Sequence, residues 1–464
     1  MAKSKKTTKA AENGKAAAAK KERPIRVRMY RVGFGDCFLV SFPVGNQDDY
    51  EHFIVDCGVH GKGNIGTINR AVDHIMEETG GKLAAVIATH SHQDHISGFS
   101  EKFTQFKEIR EVWLPWSEDP ADPLAIKWGK KQAAVTSQLE QHFAAQAKTG
   151  AAEASSPHRE KALAALVNLS SSADSMSLLV NHFKGGDAKM VENFGKLTSN
   201  AKALQLLKGG FNIGAKVRYL DAGKTLEDAA GVQGLTVRVL SPPRDEKFLS
   251  KMDPPKGQGY LRMGAGGEVV EANKTAPFAS KWVIDYQKTS GKAPLTAEEE
   301  KLLGSQLSDT ELNGLAFALD SAKNNTSLVT LFIYRGQYLL FPGDAQYGNW
   351  KYWLDKEADE ILPRVNFLKV AHHGSHNATP KEALEKMATG KFAAMVSTQS
   401  TPWDSIPRVP LMTRLSEQTA QKVVRSDWIK LADAPDPSEG ATPPMPAEDP
   451  QGFKKGEFWY DYEI

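Results

Sequence analysis

The run LAAVIATHSHQDHISG, residues 83–98, places a continuous apolar segment directly before three histidines and an aspartate. A short apolar run that ends on a polar cluster is typical of a buried strand in a parallel sheet, which delivers side chains at its carboxyl end. We therefore predict a buried strand over residues 83–90. Four polar side chains are grouped where it ends: His90, His92, Asp94 and His95.

These four side chains have the chemistry of metal ligands. Neutral imidazole nitrogens and carboxylate oxygens are ligands that zinc prefers. His90 and His92 can aim at one point, and Asp94 and His95 can reach a neighbouring point as the chain turns into the next helix. The spacing H-x-H-x-D-H therefore favours two divalent ions over the alternative, a surface turn with unrelated histidines.

Two ions need more ligands than this stretch supplies, and two later apolar strands end in suitable residues. In LLFPGDA, residues 339–345, Asp344 is predicted to bridge both ions through its two carboxylate oxygens. LKVAHHGSH, residues 368–376, supplies histidines 372, 373 and 376. A Gly-Asp pair after a strand is by itself a turn signal, but three clusters at three strand ends indicate one shared site.

The rest of the chain alternates between strand and helix patterns, which predicts an α/β fold. A helix is predicted over residues 64–79, and Arg335-Gly336 is predicted to be a hairpin turn. Further strands are predicted over these ranges: 25–42 with a break at 33–36, 51–58, 111–116, 217–223, 235–243, 313–319, 326–344, 364–375, 391–400 and 457–464.

Length and composition suit one large domain with insertions. The chain has 464 residues, of which 41% are hydrophobic and 25% charged, as in ordinary globular proteins. The predicted domain covers residues 25–432, with a helical insertion at about 117–216 and a loop-rich insertion at about 244–312. A disordered basic tail, residues 1–24, precedes it. Residues 433–464 are predicted to form a Pro-rich loop and a terminal strand.

The net charge of +2 hides an uneven distribution. Residues 1–24 carry eight Lys/Arg and two acids, so the remaining chain sums to about −4. This acidic body gives no independent indication of nucleic-acid or membrane binding.

No apolar run reaches the roughly eighteen residues of a membrane span. Two cysteines make no disulfide framework, and we expect a cytoplasmic protein in a reducing compartment.

The motifs together resemble a known superfamily. THSHQDH, with Asp56 in VDCG upstream and PGD and HHGS downstream, is similar to the metallo-β-lactamase fold. The closest likeness is to the metallo-hydrolase domain of ComEC-type competence proteins and their stand-alone relatives. VGFGDCFLV, NNTSLV and KVAHHGS resemble the VGxGDxxLV, NNxSLV and KVxHHGS patterns of those domains. The likeness covers about residues 25–116, 217–243 and 313–400.

The resemblance implies a four-layer αβ/βα sandwich with a dinuclear metal site along one edge. One of the 372/373 pair would complete the second ion's shell; we prefer His372 because it comes first off the strand, and His373 would then face substrate. Asp56 would orient the ligand loop through hydrogen bonds. The remaining assignments are His90 and His92 to the first ion, Asp94 and His95 to the second, and Asp344 as the bridge.

The sequence departs from many superfamily members at one ligand. Those members take a third histidine for the first ion from a later strand, whereas LTVRVLSPP, residues 235–243, contains none. ComEC-type sequences similarly lack it. Zinc is the expected metal, and a shell richer in oxygen makes manganese the alternative. The histidines at 142, 158 and 182 lie in the helical insertion and are expected at the surface or between helices.

Two adjacent divalent ions can share one hydroxide that attacks at neutral pH, so the predicted reaction is hydrolysis. The absence of GxSxG argues against a serine nucleophile. A phosphodiesterase or nuclease fits the ComEC-like pattern, with Asp94 and His373 as catalytic residues. Asn325, Ser327 and Ser375 would contact phosphate or support ligands. The alternative for the first two is a capped loop before a strand, and Lys369 is expected to be solvated rather than a phosphate clamp.

Two other functions stay open. The same scaffold could hydrolyse a lactone, a thioester or a phosphorylated small molecule. A non-catalytic, metal-stabilised module could instead bind a protein partner through its two insertions. The acidic body weakens the nuclease hypothesis for long nucleic acids, and the intact ligand set weakens the non-catalytic one. A substrate panel discriminates among them, because substrate choice in such folds lies in loops and insertions.

Overall fold

The computed structural model describes residues 23–45, 49–130, 132, 136, 139, 200–255, 257–260, 319–400, 403, 405–431 and 448–464. Within them the protein is a mixed α/β structure with two mixed sheets. The strands are β1 (Arg26–Tyr30), β2 (Cys37–Pro43), β3 (Tyr50–Cys57), β4 (Lys82–Ile87), β5 (Glu108–Pro115), β6 (Lys216–Leu220), β7 (Thr225–Leu226), β8 (Thr236–Ser241), β9 (Val329–Tyr334), β10 (Gln337–Phe341), β11 (Val365–Lys369), β12 (Ala393–Val396), β13 (Val423–Arg425), β14 (Phe453–Lys455) and β15 (Trp459–Glu463).

The helices vary from one turn to four. Those with defined bounds are α1 (Ile68–Glu78), α2 (Gln93–Ile96), α3 (Glu246–Leu249), α4 (Tyr347–Ile361), α5 (Lys381–Lys386) and α6 (Val409–Gln418). Residues 123–130, 200–208 and 319–324 are also helical. α1 buries Ala71, Val72 and Ile75, the apolar positions whose helical spacing the sequence shows.

The first sheet has the strand order β14-β15-β1-β2-β3-β4-β5-β6. β3, β4, β5 and β6 are parallel neighbours, so their carboxyl ends share one edge of the sheet. β4 is buried at every position after Lys82, which explains its continuous apolar sequence. That edge therefore carries Asp56 at the end of β3 and the histidine-rich stretch after β4.

The second sheet has the order β13-β12-β11-β10-β9-β8-β7. β10 to β13 are parallel, whereas β9 and β10 form an antiparallel hairpin. Arg335 and Gly336 connect the hairpin with φ of 49° and 75°, the left-handed pair that a two-residue type I′ turn needs. The parallel strands β10, β11 and β12 lead into Asp344, the 372/373 pair and Ser397 respectively.

Within the described residues, three large buried hydrophobic clusters hold the two sheets and their helices together. One lies between the sheets, where Phe53 packs edge-on against Phe332 with ring centroids 5.7 Å apart. A second joins the alternate residues of the first sheet, such as Ile54, to α1. A third joins the second sheet to α4, α5 and α6 and includes Trp350. Each fully buried large apolar side chain contributes roughly 1.5–3 kcal/mol, and together they fix the strand ends of both sheets at one place.

The strand and helix predictions agree with β1 to β6, β8 to β12, β15 and α1, with ends that differ by a few residues. The strand predicted over 313–319 lies outside the described residues except for Leu319, which is helical. Apart from residues 23–24, the predicted tail lies outside them too, as do most of both predicted insertions. Among the residues described, no helix is long and apolar enough to cross a membrane.

Candidate metal centre

Four acidic and imidazole side chains from three strand ends converge in the interior. Asp94, His95, Asp344 and His373 each offer a ligand atom within 4.8 Å of the others, and all four are buried. His95 Nε2 lies 3.0 Å from Asp344 Oδ2, and His373 Nε2 lies 3.3 Å from Asp94 Oδ2. The stretch after β4 and the ends of β10 and β11 therefore meet, and this group could hold a metal ion.

A second group adjoins the first and shares Asp94 with it. His90, His92 and Asp94 also offer ligand atoms within 4.8 Å of one another, and all three are buried. His90 Nε2 lies 3.0 Å from His92 Nδ1, so these two nitrogens face a common point. Because Asp94 belongs to both groups, the two candidate cation positions are adjacent.

The hydrogen bonding of the first group fits a bound cation. Four buried atoms approach acidic or imidazole neighbours but make no hydrogen bond of good geometry within the described residues: Asp94 Oδ1, His95 Nε2, Asp344 Oδ2 and His373 Nε2. Leaving a buried polar atom unsatisfied costs about 1–3 kcal/mol. A divalent cation would satisfy all four together, since buried charges are ordinarily paired or coordinate a metal. The donor set of imidazole nitrogen and carboxylate oxygen is suitable for such an ion.

The outward ring nitrogens are held by neighbouring groups. His95 Nδ1 lies 2.8 Å from Asp56 Oδ2, and Asp56 in turn accepts the N–H and the hydroxyl of Thr89, each at 2.7 Å. His373 Nδ1 donates to the Ser397 carbonyl at 2.8 Å. When the outward nitrogen carries the proton, Nε2 presents its lone pair inward, as in metal-binding histidines. Asp56 thus lies where the orienting role was predicted.

The turn after β11 presents its two histidines differently. Both are left-handed, with φ of 49° at His372 and 53° at His373, a conformation that costs about 1–3 kcal/mol per residue. His373 is fully buried in the ligand group, whereas the His372 side chain is 18% exposed and its Nε2 lies 3.8 Å from Asp344 Oδ2. His373, and not the preferred His372, therefore belongs to the group that could hold an ion, because the second left-handed residue turns its ring inward.

The expectation of a solvated Lys369 is wrong. Its side chain is 2% exposed, and Nζ pairs with Asp36, donates to the Gly343 carbonyl at 2.9 Å and lies 3.3 Å from Asp344 Oδ1. Burial lowers the pKa of Lys369, but the charges of Asp36 and Asp344 outweigh it and raise the pKa above its usual value. Since Lys369 contacts Oδ1 of Asp344, Oδ2 is left to face the histidines. The bridge between two ions through both oxygens of Asp344 stays a prediction.

The side chain of Asn325 forms hydrogen bonds with backbone groups of two neighbouring segments. It is fully buried, its Nδ2 donates to the Leu249 carbonyl at 2.8 Å, and its Oδ1 accepts the N–H of Gln346 at 3.2 Å. These bonds join α3 and the start of α4 to the loop before β9. Because its amide is occupied by protein groups, the placement favours the alternative that the sequence leaves open, a capped loop before a strand, over a contact with phosphate.

Ser327 and Ser375 are both buried beside predicted ligands. Ser327 Oγ lies 3.2 Å from His90 Nδ1 and accepts the N–H of Asp344 at 3.2 Å, so it links the two groups. Ser375 is 5% exposed and directly follows the turn Ala371–Gly374 that carries His373. The structure thus brings Ser327 into contact with the ligands and places Ser375 one residue beyond their turn.

Burial keeps three of the histidines neutral. It lowers the pKa of His90 well below its usual value, that of His92 to about 3 and that of His372 to about 4. A neutral imidazole retains a lone pair for a metal or a substrate proton. His90 and His92 therefore carry the protonation state that a metal ligand needs at neutral pH.

The pKa values of His95 and His373 shift in the opposite direction. Burial lowers their pKa, but nearby carboxylates, Asp344 first among them, outweigh burial and raise the pKa of both. Burial raises the pKa of Asp94 and Asp344, yet the same imidazoles, with Lys369 beside Asp344, hold both pKa values below the usual range. Asp94 and Asp344 therefore stay ionised, which is the form in which a carboxylate binds a cation.

The sequence predicts no role for two acids at the site, although Asp36 is the aspartate of the VGxGDxxLV pattern. Asp36, in VGFGDCFLV, is fully buried, and its Oδ2 lies 3.6 Å from His95 Nδ1. Its signal is a charged residue at the start of an apolar strand. Asp320 Oδ1 lies 3.5 Å from His92 Nε2, and no local pattern marks that residue.

Positive side chains flank the second group. Glu118, in the turn after β5, is buried and pairs with Lys323 and, at 2.9 Å, with Lys208. It also accepts the Ser91 hydroxyl at 2.8 Å. The Lys323 charge contributes to lowering the pKa of His92, so it acts at the ligand group itself. Glu118 and Asp320, which lies 3.5 Å from His92, balance the two lysines, so the charges beside His92 sum to zero.

Comparison with known proteins gives no identification: the chain matches no family model and no curated protein. The functional assignment therefore depends on the residues of the site and on the fold that brings them together.

Proposed function

We propose that the protein is a hydrolase of the metallo-β-lactamase fold that binds two divalent ions and cleaves phosphodiester bonds. Zinc is the first choice of metal, and manganese is the alternative. The observation that carries the proposal is the convergence of buried, unsatisfied nitrogen and oxygen atoms from separate strand ends. The residues concerned are Asp94 and His95 after β4, Asp344 after β10 and His373 after β11.

The packing order supports the proposed fold. α1 packs on the first sheet, the two sheets share a core, and α4, α5 and α6 pack on the second sheet. A succession of helix, sheet, sheet and helix is what a four-layer αβ/βα sandwich requires. The stretches THSHQDH, PGD and HHGS all follow strands at the shared edge, as the sequence resemblance implies.

Charge balance supports two ions over one. Four carboxylates are buried at the site, from Asp36, Asp56, Asp94 and Asp344, and Lys369 is the cation in contact with two of them. With the imidazoles neutral, as coordination of an ion would require, this leaves an excess of three negative charges, and buried charge needs compensation. One divalent ion would leave the cluster negative, whereas two ions and one anionic ligand would make it neutral.

The chain's own groups prepare the site. Two divalent ions at such a site supply an activated water and neutralise charge on the leaving oxygen. His90 and His92 would hold one ion; Asp94, His95, Asp344 and His373 would hold the other. Asp56 and the Ser397 carbonyl keep the imidazoles of the second set turned inward. His372 is partly exposed, and its Nε2 lies 3.4 Å from Asn324 Nδ2, so it is placed to contact a substrate.

The choice of substrate rests on sequence likeness. Lys208 and Lys323 are balanced by Glu118 and Asp320, so the charge beside His92 does not separate an anionic substrate from a neutral lactone or thioester. The resemblance of VGFGDCFLV, NNTSLV and KVAHHGS to ComEC-type domains favours a phosphodiester. The slightly acidic body favours a short substrate over a long duplex.

The test is hydrolysis by the full-length protein loaded with zinc or manganese. The substrates are bis-p-nitrophenyl phosphate, plasmid, single-stranded DNA, RNA and a set of carboxylic esters and thioesters. We expect phosphodiester turnover that a chelator abolishes and that is lost in both His92→Ala and Asp344→Ala. Metal content measured in parallel separates loss of an ion from loss of chemistry.

His376→Ala is the matched control for the histidine variants. His376 lies in the same HHGSH run, but its Nε2 faces Asp253 at 3.2 Å and belongs to neither ligand group. It should retain both ions. Turnover confined to carboxylic esters or thioesters would contradict the phosphodiester assignment, and a protein that binds no divalent ion would contradict the whole proposal.

A further inference from the structure

His92 has a second contact that no motif predicts. Its Nδ1 lies 3.0 Å from His90 Nε2, so these two nitrogens face the point where an ion would be held. Its other nitrogen, Nε2, points to Asp320, with 3.5 Å to Oδ1. The His92 side chain is 1% exposed and that of Asp320 is 16% exposed. The contact therefore lies at the margin of the buried site.

The other ligand histidines show what such a contact does. In each of them, Nδ1 meets a protein oxygen on the outside and Nε2 faces the cluster. The outward partners are Ser327 Oγ at 3.2 Å for His90, Asp56 Oδ2 at 2.8 Å for His95 and the Ser397 carbonyl at 2.8 Å for His373. The inner nitrogen has a free lone pair only when the outer one carries the proton. In His92 the roles of the two nitrogens are exchanged. Nδ1 faces the position of the ion, and Nε2 faces outward, where Asp320 is its partner.

We propose that Asp320 is a positioning residue for the first ion. Its carboxylate accepts Nε2–H of His92 and so presents Nδ1 to the metal, which strengthens a site that lacks a third histidine. The inference rests on the metal site of the proposed function but not on its substrate. An ideal hydrogen bond of this kind is about 2.9 Å long, so the pair needs to close by roughly half an ångström.

Asp320 acts through His92 rather than as a ligand itself. In the described part of the chain, it belongs to none of the groups whose ligand atoms all lie within 4.8 Å of one another. It lies in the helical residues 319–324, one turn before Lys323, which is tied to Glu118. That ion pair holds the helix against the ligand loop and keeps Asp320 at His92.

The test compares Asp320→Leu, which removes the acceptor, with Asp320→Asn, which keeps an acceptor oxygen. Full-length protein stripped with a chelator is titrated with Co²⁺, whose visible spectrum reports each site, and Zn²⁺ content is measured at fixed free concentrations. Asp320→Leu should weaken one of the two ions by about 10–100-fold and leave the other unchanged. Asp320→Asn should weaken the binding of that ion by a clearly smaller factor.

The matched controls are Asp73→Asn and Asp73→Leu, because Asp73 is 62% exposed on α1 and pairs with Lys102. Neither should change the affinity for either ion. A second readout is the histidine tautomer, measured by NMR of Zn²⁺-loaded protein with ¹⁵N-labelled histidine. His92 should carry its proton on Nε2. Asp320→Leu should change the His92 signal and leave the signals of the other ligand histidines unchanged.

Wild-type affinity in Asp320→Leu would overturn the inference. Equal losses in Asp320→Asn and Asp320→Leu would also overturn it, since they would show that charge rather than an acceptor matters. A wild-type protein that binds two ions but cleaves no phosphodiester would contradict the proposed substrate and leave this measurement intact.

Discussion

Lys369 has three partners in the interior: Asp36, Asp344 and the Gly343 carbonyl. Lys369→Met keeps most of the side-chain length and removes the charge, leaving two buried carboxylates without their cation. Breaking a buried pair in this way costs about 3–5 kcal/mol. We expect that loss in the free energy of unfolding, measured by denaturant titration in the presence of a chelator.

The control for Lys369 is a double-mutant cycle. Adding Asp36→Asn to Lys369→Met removes one orphaned charge and should recover part of the loss. Lys386→Met, whose partner Asp359 is 88% exposed, should cost less than about 1 kcal/mol. Strict additivity of the Asp36 and Lys369 variants would show that the two side chains do not interact.

The two histidines of the HHGS turn should differ in metal content. His373→Ala removes a buried nitrogen 3.3 Å from Asp94 Oδ2 and 3.6 Å from Asp344 Oδ2. It should therefore lose one ion. His372→Ala removes a partly exposed ring and should keep both ions while lowering turnover. The check is elemental analysis of both variants after dialysis, and an ion lost from His372→Ala instead would contradict this division of roles between the two histidines.

At this scale the sequence is informative about clusters and uninformative about charge networks. His90, His92, Asp94 and His95 are close because six residues of chain hold them together, so their grouping is predictable. Lys369 is not, because a lysine is usually solvated and its burial depends on Asp36, more than 300 positions earlier. Asp320 likewise becomes visible only when the fold brings it to His92.

At the scale of elements, the turn from β10 into α4 depends on Gly343. Its φ is 56°, and a Cβ built there would lie 2.8 Å from Thr89 Cβ. Gly343→Ala therefore combines left-handed strain of about 1–2 kcal/mol with a collision against the residue before His90. We expect a larger loss of stability than strain alone gives, and weaker metal binding because Asp344 and Thr89 are pushed apart.

Gly336→Ala is the matched control for that turn. Gly336 also has a left-handed φ, 75°, but nothing lies within 4 Å of a Cβ there. It should show the strain without the collision, and metal binding should be unchanged. Equal effects of the two variants on the free energy of unfolding would show that the contact with Thr89 is relaxed at no cost.

The position of a strand is more predictable from sequence than the identity of the strand with which it pairs. β4, β10 and β11 are apolar runs with polar ends, a strong local signal. β7, β13 and β14 have two or three residues, too few to show a period. The pairing of β15 with β1 joins Trp459 to Tyr30, and no local pattern specifies a contact between segments so far apart.

At the scale of the whole molecule, metal binding should stabilise the fold. The four buried carboxylates of the site repel one another unless cations compensate them. Each ion should raise the free energy of unfolding by about 2.7 kcal/mol at a free concentration one hundred times its dissociation constant. His92→Ala should lose part of this gain and His376→Ala none of it. Thermal unfolding with and without zinc or manganese measures the gain, and an unchanged midpoint would argue against a folded-state metal site.

The pH dependence of stability has a contribution far from the site. His52, in β3, is 9% exposed, and its Nδ1 lies 2.9 Å from Ser41 Oγ. Burial first, and then the charge of Arg26, lower the pKa of His52 to about 4. At a pH between about 4 and the ordinary pKa near 6.5, His52 is protonated in the unfolded chain and neutral in the folded protein. Stability should therefore be complete above about pH 6.5 and fall as the pH decreases towards 4.

His52→Gln removes that titration while keeping a polar side chain beside Ser41. Between pH 7 and 5 the wild-type protein should lose about 2 kcal/mol more than the variant, and the two should run parallel above pH 7. Denaturant unfolding in chelator at a series of pH values measures the difference, because the chelator removes the competing effect of metal ligands. Parallel curves down to pH 5 would mean that His52 titrates alike in the folded and unfolded states, which its burial against β2 argues against.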